Sequence, residues 1–280
     1  MTPCSKLPSS WIPLSEHAIR SQLPPALNDV LNMHVLASID STNRFLKEQP
    51  LKPGLTLCVA ETQTHGRGRF ARPWHSPLGE NIYASFAWRF EGDPSNLSGL
   101  SLVVSLAVHA AIQQLCDTLH VAEASQDIVI KWPNDLLWHH KKFAGILIEM
   151  TGNSNPNVII GIGLNVNAFA NKDTPINRPW CALRDILKQT IDRNTLLAIL
   201  ITLLEQHLRR FSEQGFPAYQ ASWQALDYLF DRTITLSKPD GTITGRARGV
   251  DNAGYLMLID EQGVTHALSS GEASLAQART

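Results

Sequence analysis

Residues 66–81 constrain this chain most, because this segment can form neither a helix nor a strand. It holds three arginines, three glycines, two prolines and a tryptophan without a helical or strand period. Prolines exclude a helix, and glycines let the backbone approach a ligand closely. The runs on either side, 55–60 and 81–90, have the apolar, β-rich composition of strands. We therefore predict a long loop held between two strands, with arginines able to bind phosphate or carboxylate.

The other periodic segments indicate an α+β protein. Hairpin-like runs of strands with segregated helices favour a mixed or antiparallel sheet over strict βαβ alternation. Further strands are predicted over residues 35–39, 128–132, 136–138, 143–150 and 158–166. Helices are predicted from the capping run 40–43 to Gln49, over 100–119, over 195–214 with Asn194 or Thr195 as the cap, and over 217–228.

The C-terminal part of the chain has a different pattern. From about Phe230, short β-rich runs alternate with turn-forming sets at 239–241, 251–254 and 261–263. This predicts a small antiparallel barrel or sandwich that must pack on the rest, because about 50 residues bury little surface alone. We predict three parts: an N-terminal extension at 1–34, a main domain at 35–229 and a β domain at 230–280.

Composition excludes several classes of protein. The chain is 44% hydrophobic and 18% charged, which is typical of a globular protein. A net charge of −1 argues against a general nucleic-acid surface. Four separated cysteines without a CxxC pair favour reduced thiols in the cytoplasm and no metal cluster. The apolar run at 97–119 contains too many polar residues for a membrane span.

The loop at 66–81 has alternative interpretations. Gly66-x-Gly68-x-x-Ala71 matches the dinucleotide fingerprint, but that motif must open a helix, which Pro73 and Pro77 exclude. Arginine and tryptophan together could also bind single-stranded nucleic acid, although the patch is isolated on a near-neutral chain. A solvated basic turn would leave the density of Gly, Pro and Trp unexplained.

A second group of residues, 131–135 followed by Lys142 and Gly145, can place Asp135 and Lys142 at one end of a sheet. The plain alternative is a surface ion pair without function. Trp132 and Trp138 are predicted core residues. Trp223 is a packing residue by default, with base stacking as the minor alternative.

Taken together, these segments resemble the catalytic domain of biotin protein ligases. The resemblance covers about residues 35–270 and implies a class II synthetase-like domain with an SH3-like C-terminal β-barrel. Ala71 stands where the family usually has glycine, so this loop is expected to be stiffer or to use φ below zero there. The short N-terminal extension resembles the ligase-only type, without a DNA-binding domain. The matching segments are 40–43, 61–63, 66–77, 81–85, 131–135, 142–149 and 161–165.

The resemblance implies a two-step reaction. The carboxylate of biotin attacks the α-phosphate of ATP to give biotinyl-adenylate and pyrophosphate, with Mg²⁺ sharing the phosphate charge. A lysine of the biotin carboxyl carrier protein of acetyl-CoA carboxylase then takes the biotinyl group. No nucleic acid or membrane partner is expected, and dimerisation through a sheet edge is an option that the sequence leaves open.

The resemblance also assigns residues, and no protein metal ligands are among them. The catalytic residues are Arg67, Lys142 and Asp135. The biotin site comprises Ser41, Thr42, Asn43, Gln63, Gly66, Arg67, Gly68, Arg69, Lys142 and Gly145. The ATP and adenylate site comprises Arg67, Arg69, Arg72, Trp74, Asn134, Asn165 and Trp223.

Two other functions are consistent with the pattern. A lipoate–protein ligase would form the same type of acyl-adenylate, but the Arg-Gly-Arg loop and the C-terminal β domain favour biotin. A biotin-responsive repressor or binding protein is disfavoured by the presence of both Asp135 and Lys142.

Overall fold

The computed structural model describes residues 11–50, 54–152, 155–169, 176, 178–238 and 241–276. Its α-helices are α1 Glu16–Arg20, α2 Pro25–Val30, α3 Thr42–Glu48, α4 Leu100–Thr118, α5 Leu183–Leu187, α6 Arg193–Gln214 and α7 Gln220–Gln224. Its 3₁₀ helices are Arg69–Ala71, Pro94–Leu97, Ala122–Ser125 and Phe216–Tyr219. Its strands are β1 Asn32–Leu36, β2 Thr56–Ala60, β3 Ile82–Arg89, β4 Ile128–Lys131, β5 Asp135–Trp138, β6 Lys141–Thr151, β7 Asn157–Leu164, β8 Thr233–Lys238, β9 Gly241–Val250, β10 Leu256–Asp260, β11 Thr265–Leu268 and β12 Glu272–Leu275.

The main sheet is mixed, as predicted. In the described residues it has seven strands in the order β1-β2-β3-β7-β6-β5-β4. Strands β1 and β2 pair in parallel, and the other neighbours pair antiparallel. This arrangement confirms the α+β prediction.

The two faces of this sheet have different roles. Along β7, Val158, Ile160 and Ile162 point into the main hydrophobic core, where α4 and α6 pack. The alternate residues Gly161 and Gly163 point to the opposite face, because successive strand residues face opposite ways. Helix α3 packs on that second face. The second face is therefore partly free of side chains and leaves room for a pocket.

The C-terminal strands form a second, antiparallel sheet. Its order in the described residues is β11-β10-β9-β8-β12. It packs on the main part of the chain: Trp132 Nε1 donates to the Gly254 carbonyl at 3.2 Å, and Ser98 donates to the Ala253 carbonyl. The predicted packing is confirmed, and closure into an SH3-like barrel stays a prediction. The turn residues Pro239 and Asp240 lie outside the described residues.

Several element boundaries differ from prediction. Strand β1 begins at Asn32 because its residues pair with the whole of β2. The cap of α6 is Asp192, not Asn194 or Thr195, and its carboxylate accepts from the Asn194 N–H at 2.9 Å. The helix predicted over residues 217–228 is confirmed in its first part, as the 3₁₀ helix Phe216–Tyr219 and α7, but its C-terminal end is wrong. It ends at Gln224 because residues 226–228 bond instead to the edge strand at Ile130.

A buried ion pair fixes the N-terminal residues to the main sheet. Arg193 and Glu61 lie 2.6 Å apart, with side chains 2% and 7% exposed. Arg193 also donates to the Ile12 carbonyl, and Glu61 accepts from the Leu14 N–H. Glu61 directly follows β2, so this cluster holds the start of the segment that leads into the 66–81 loop.

Three further features bear on the predicted class of protein. Among the described residues, Pro94–Thr118 is long and apolar enough to cross a membrane, but 72% of its apolar window is buried inside the protein, as in a core helix. Cys58, Cys116 and Cys181 are free and buried. The described part of the chain contains no group of three or more His, Cys, Asp or Glu side chains arranged to hold a metal.

Candidate active site

A cavity of about 610 Å³ lies on the glycine-bearing face of the main sheet. Its walls come from the start of α3, the 66–81 loop, the β4–β5 turn and the beginning of β12. This volume is in the range typical of small-molecule sites. The cavity therefore brings the two groups of residues singled out in the sequence into one site.

Three glycines form the floor of this cavity. A side chain at any of the three positions would collide with Trp74, Asn43 or Lys142. A Cβ on Gly163 would lie 2.4 Å from the Trp74 ring, and one on Gly161 would lie 2.3 Å from Asn43 Oδ1. A Cβ on Gly145 would lie 2.9 Å from Lys142 Nζ. Gly145 and Gly163 are direct partners across β6 and β7. The floor thus holds the positions of Trp74, Asn43 and Lys142.

Hydroxyl and amide groups gather at one end of the cavity. Ser41 caps α3, as predicted, and orients Thr42 and Asn43 in its first turn. Gln63 Oε1 accepts from the Thr42 N–H at 2.9 Å and from Thr42 Oγ1 at 3.1 Å. Ser85 Oγ lies 2.7 Å from Thr42 Oγ1. This end can recognise a small ligand that carries both donors and acceptors.

Lys142 and Asp135 pair at the opposite end. Lys142 Nζ lies 2.6 Å from Asp135 Oδ1, and 5.3 Å from the centre of the Trp74 ring. The alternative of an ordinary surface ion pair fits poorly, because both residues line the cavity. Asn134 and Asn165 use their Nδ2 groups on the backbone carbonyls of Ile146 and Cys181. Both asparagines line the cavity, and an amide oxygen is an acceptor.

Two loop arginines reach from the cavity to the C-terminal sheet. Arg72 donates both terminal nitrogens to the Glu272 carboxylate at 2.6 and 2.5 Å, and Arg178 lies 2.9 Å from it. Arg72 is the main reason that the pKa of Glu272 falls to about 2. Arg69 donates to the Gly271 carbonyl. Burial lowers the pKa of the Arg69 guanidinium, and Asp135 and Glu272 oppose that shift.

The tip of the loop is a tight turn with unfavourable backbone angles. Phe70 and Ala71 have φ of 56° and 55°, and the Arg72 N–H bonds to the Arg69 carbonyl at 3.2 Å. Two consecutive positive φ values are typical of a type I′ turn, which favours glycine or asparagine. The option of φ below zero at Ala71 is therefore wrong for this structure. A residue with a side chain costs about 1 kcal/mol at each such position.

The structure brings most of the predicted site residues together. Gly66 lies just behind the wall, against Gln63 and Ser76. Trp223 is the exception, because its side chain is 0% exposed in the hydrophobic core. Its assignment to the nucleotide site is wrong, and the packing alternative is correct. Those that line the cavity are Ser41, Thr42, Asn43, Gln63, Arg67, Gly68, Arg69, Arg72, Trp74, Asn134, Asp135, Lys142, Gly145 and Asn165.

Sequence reasoning missed residues of three kinds. Lys131 lines the cavity, where burial lowers its pKa against the opposing effects of Asp135 and Glu272. It stood in a recognised motif but was given no role. Ser85 and Glu149 lie on strands facing α3, and strand alternation could have placed them there. Arg178 and Glu272 carried no local signal, since only the packing of distant segments brings them to the loop.

Comparison with known proteins agrees with this geometry. Residues 35–167 match the Biotin/lipoate A/B protein ligase family, and residues 229–276 match the Biotin protein ligase C terminal domain. The chain is 38% identical to the bifunctional ligase/repressor BirA of Salmonella typhimurium, over 95% of this chain and 79% of that protein. It is 31% identical to the biotin–[acetyl-CoA-carboxylase] ligase of Mycobacterium tuberculosis, over 93% of this chain and 95% of that ligase.

A solved structure resembles most of the fold as well. The biotin protein ligase from Aquifex aeolicus, in complex with biotin and ATP, superposes with a TM-score of 0.74 and 30% identity. The superposition covers 88% of this chain and 99% of that one. On sequence, fold and cavity together, the chain belongs to the biotin protein ligase family.

Proposed function

We propose that this protein joins the carboxylate of biotin to the α-phosphate of ATP, which gives biotinyl-5′-AMP and releases pyrophosphate. It then transfers the biotinyl group to a lysine of a carrier domain and releases AMP. The observation that carries this proposal is the polarity of the cavity. One end offers hydroxyl and amide groups, the floor is glycine-lined, and the other end holds Lys142 and the loop arginines. A ligand with a polar ring, an apolar chain and a terminal carboxylate fits that order.

In the first step, two anions must meet, so cationic donors are the main requirement. Ser41, Thr42 and Gln63 bind the ureido ring of biotin. Arg67 and Lys142 bind its carboxylate and the α-phosphate, while Arg69 and Arg72 hold the triphosphate. The half-buried position of Arg69, near Asp135, supports a place for its guanidinium close to the reacting atoms.

In the second step, Asp135 orients the incoming lysine and helps to remove its proton, because only a neutral amine attacks. Its 2.6 Å distance from Lys142 puts the carboxylate beside the place proposed for the acyl group. Acyl-adenylates hydrolyse readily, so the 66–81 loop excludes water until the lysine arrives.

The donor set fits a magnesium ion that enters with ATP. Mg²⁺ takes few protein ligands and keeps phosphate oxygens and waters. Asn134 and Asn165 line the cavity, and their Nδ2 groups are bonded to backbone carbonyls, so the amide oxygens are the atoms suited to such an ion. When bound, the ion would neutralise phosphate charge. Asn134 and Asn165 would hold it or the phosphates.

Three broader assignments belong to the same proposal. The acceptor is the biotin carboxyl carrier protein of acetyl-CoA carboxylase, which the name of the Mycobacterium tuberculosis relative supports. The protein acts in the cytoplasm, which suits its free buried cysteines. We divide the chain at 34/35 and 229/230, near the first residues of the two family matches. Homodimerisation through a sheet edge stays a prediction.

An ATP–pyrophosphate exchange assay tests the proposal, with biotin and lipoate supplied separately. We expect exchange with biotin and none with lipoate. Exchange driven by lipoate alone would contradict the choice of substrate. Binding of biotin without exchange would instead indicate a binding protein.

A further inference from the structure

A chain of hydrogen-bonded side chains runs behind the cavity wall, from the surface to Thr42. Lys47 Nζ donates to Glu149 Oε1 at 2.6 Å, and Asn43 Nδ2 donates to Glu149 Oε2 at 2.8 Å. Ser85 Oγ lies 2.5 Å from Asn43 Oδ1 and 2.7 Å from Thr42 Oγ1. Thr42 and Asn43 line the cavity, whereas Ser85 is fully buried behind them.

The carboxylate of Glu149 is ionised in this arrangement. Burial would raise the pKa of Glu149, but hydrogen bonds from Lys47 and Asn43 outweigh it, so the pKa is lowered. An ionised carboxylate can only accept hydrogen bonds. Asn43 must therefore turn its Nδ2 toward Glu149 and its Oδ1 toward Ser85.

The orientation of the Asn43 amide determines the proton positions along the rest of this series of hydrogen bonds. Asn43 Oδ1 has no proton, so the close contact requires the Ser85 hydroxyl to donate to it. The single Ser85 proton is then used, and Thr42 directs its own proton within the chain, to Ser85 Oγ at 2.7 Å or Gln63 Oε1 at 3.1 Å. The Thr42 hydroxyl consequently presents lone pairs to the cavity.

We propose that Glu149 is a positioning residue that sets the direction of this chain, and so makes Thr42 an acceptor for one ureido N–H of biotin. The inference rests on the proposed function and deepens it, since a cyclic urea offers two N–H donors beside its carbonyl. Glu149 thereby selects for a donor on the ligand without touching it.

Glu149→Gln tests this direction with little change in shape. A glutamine can donate as well as accept, so Asn43 can turn over, Ser85 can donate to Thr42, and the Thr42 proton can point into the cavity. We expect the Kd for biotin to rise about tenfold, the loss of one ligand hydrogen bond. The KM for ATP should stay within about twofold, because the nucleotide binds at the other end.

The decisive measurement is calorimetric binding of biotin and its two cyclic carbamates, in each of which an oxygen replaces one ureido N–H. For the wild-type protein, the Kd should be higher for the isomer whose oxygen faces Thr42 than for the other isomer. In Glu149→Gln the ratio of these two Kd values should fall about tenfold, because Thr42 can then donate to the carbamate oxygen. The matched control is Glu48→Gln, which removes an exposed partner of Arg44 on α3 and should change nothing.

Ser85→Ala provides a second variant that breaks the chain without altering charge, should Glu149→Gln fail to fold. It should also reduce the difference in Kd between the two carbamates and leave the KM for ATP unchanged. A folded variant of either kind that keeps wild-type discrimination would overturn the inference. Failure of the wild-type protein to bind biotin would instead contradict the proposed function.

Discussion

Lys142 has two neighbours that define what its ammonium group can do. Asp135 lies 2.6 Å away and keeps the Nζ at the reacting end of the cavity, while the Trp74 ring shields one side. Gly145 leaves the space that the lysine occupies. The side chain can therefore meet an incoming carboxylate without a large rearrangement, which is how preorganised charge lowers a barrier.

Lys142→Ala should slow the first step strongly and leave the fold nearly unchanged. Loss of a single stabilising donor lowers kcat by about a hundredfold to a thousandfold, and a partly exposed pair contributes at most about 1 kcal/mol to stability. Biotin-dependent ATP–pyrophosphate exchange measures the effect. Lys141→Ala is the control, because the Lys141 side chain is exposed. An unchanged exchange rate in Lys142→Ala would remove this residue from the mechanism.

At the scale of elements, β7 divides the molecule into a core side and a ligand side. Ile160 and Ile162 enter the core with α4 and α6, and Gly161 and Gly163 leave space for Asn43 and Trp74. The alternation is a direct consequence of strand geometry. One strand therefore contributes both to stability and to the shape of the site.

Gly163→Ala should displace Trp74 and weaken use of ATP. The added Cβ would lie 2.4 Å from the indole ring, so the ring must leave its present position beside Lys142. Small displacements at a reacting site cost up to about a hundredfold, so we expect kcat/KM for ATP to fall between tenfold and a hundredfold.

Ile160→Val on the same strand separates this effect from simple destabilisation. Ile160 is fully buried in the core, so the change should cost about 1 kcal/mol of unfolding free energy and leave kcat/KM unaltered. An equal fall in kcat/KM for ATP in both variants would indicate that Gly163 acts only through stability.

At the scale of the whole molecule, the loop at 66–81 is joined to the C-terminal sheet through Glu272. From the loop, Arg72 pairs with Glu272, and Arg69 donates to the carbonyl of Gly271, the residue before β12. Arg178, from outside the loop, also pairs with Glu272. Because β12 pairs with β8, the position of the loop depends on the folding of a distant part of the chain.

This contact predicts a pH dependence of stability. The pKa of Glu272 is lowered from 4.5 to about 2, chiefly by Arg72. A carboxylate with a depressed pKa in the folded state stabilises the protein above its unfolded pKa. That contribution is lost as the pH falls from about 4.5 toward about 2. Glu272→Gln removes it at every pH.

Urea unfolding of both proteins between neutral pH and about pH 3 measures this contribution. At neutral pH the wild-type protein should have a higher free energy of unfolding than Glu272→Gln. This difference in unfolding free energy should narrow on acidification. Glu261→Gln, at an exposed turn of the same sheet, is the control. A gap for Glu272→Gln that is constant with pH would contradict the role of the carboxylate charge.

Local pattern was enough for most elements and for much of the site. Helix caps, alternation and turn residues depend on near neighbours, so α3, α4 and the strands of the main sheet lie close to where they were predicted. The errors arose where tertiary contacts prevailed. Residues 226–228 were predicted to be helical but pair with β4 instead. Trp223 was assigned to the nucleotide site but lies in the core.

The sequence by itself determined the alternation that makes one sheet face glycine-rich, and the arginine-bearing loop between two strands. Only the tertiary structure decided that Glu272 meets that loop and that Glu149 lies behind Asn43. The physical reason is range. Backbone preferences are settled by residues a few positions apart, whereas ion pairs between segments depend on how whole sheets pack.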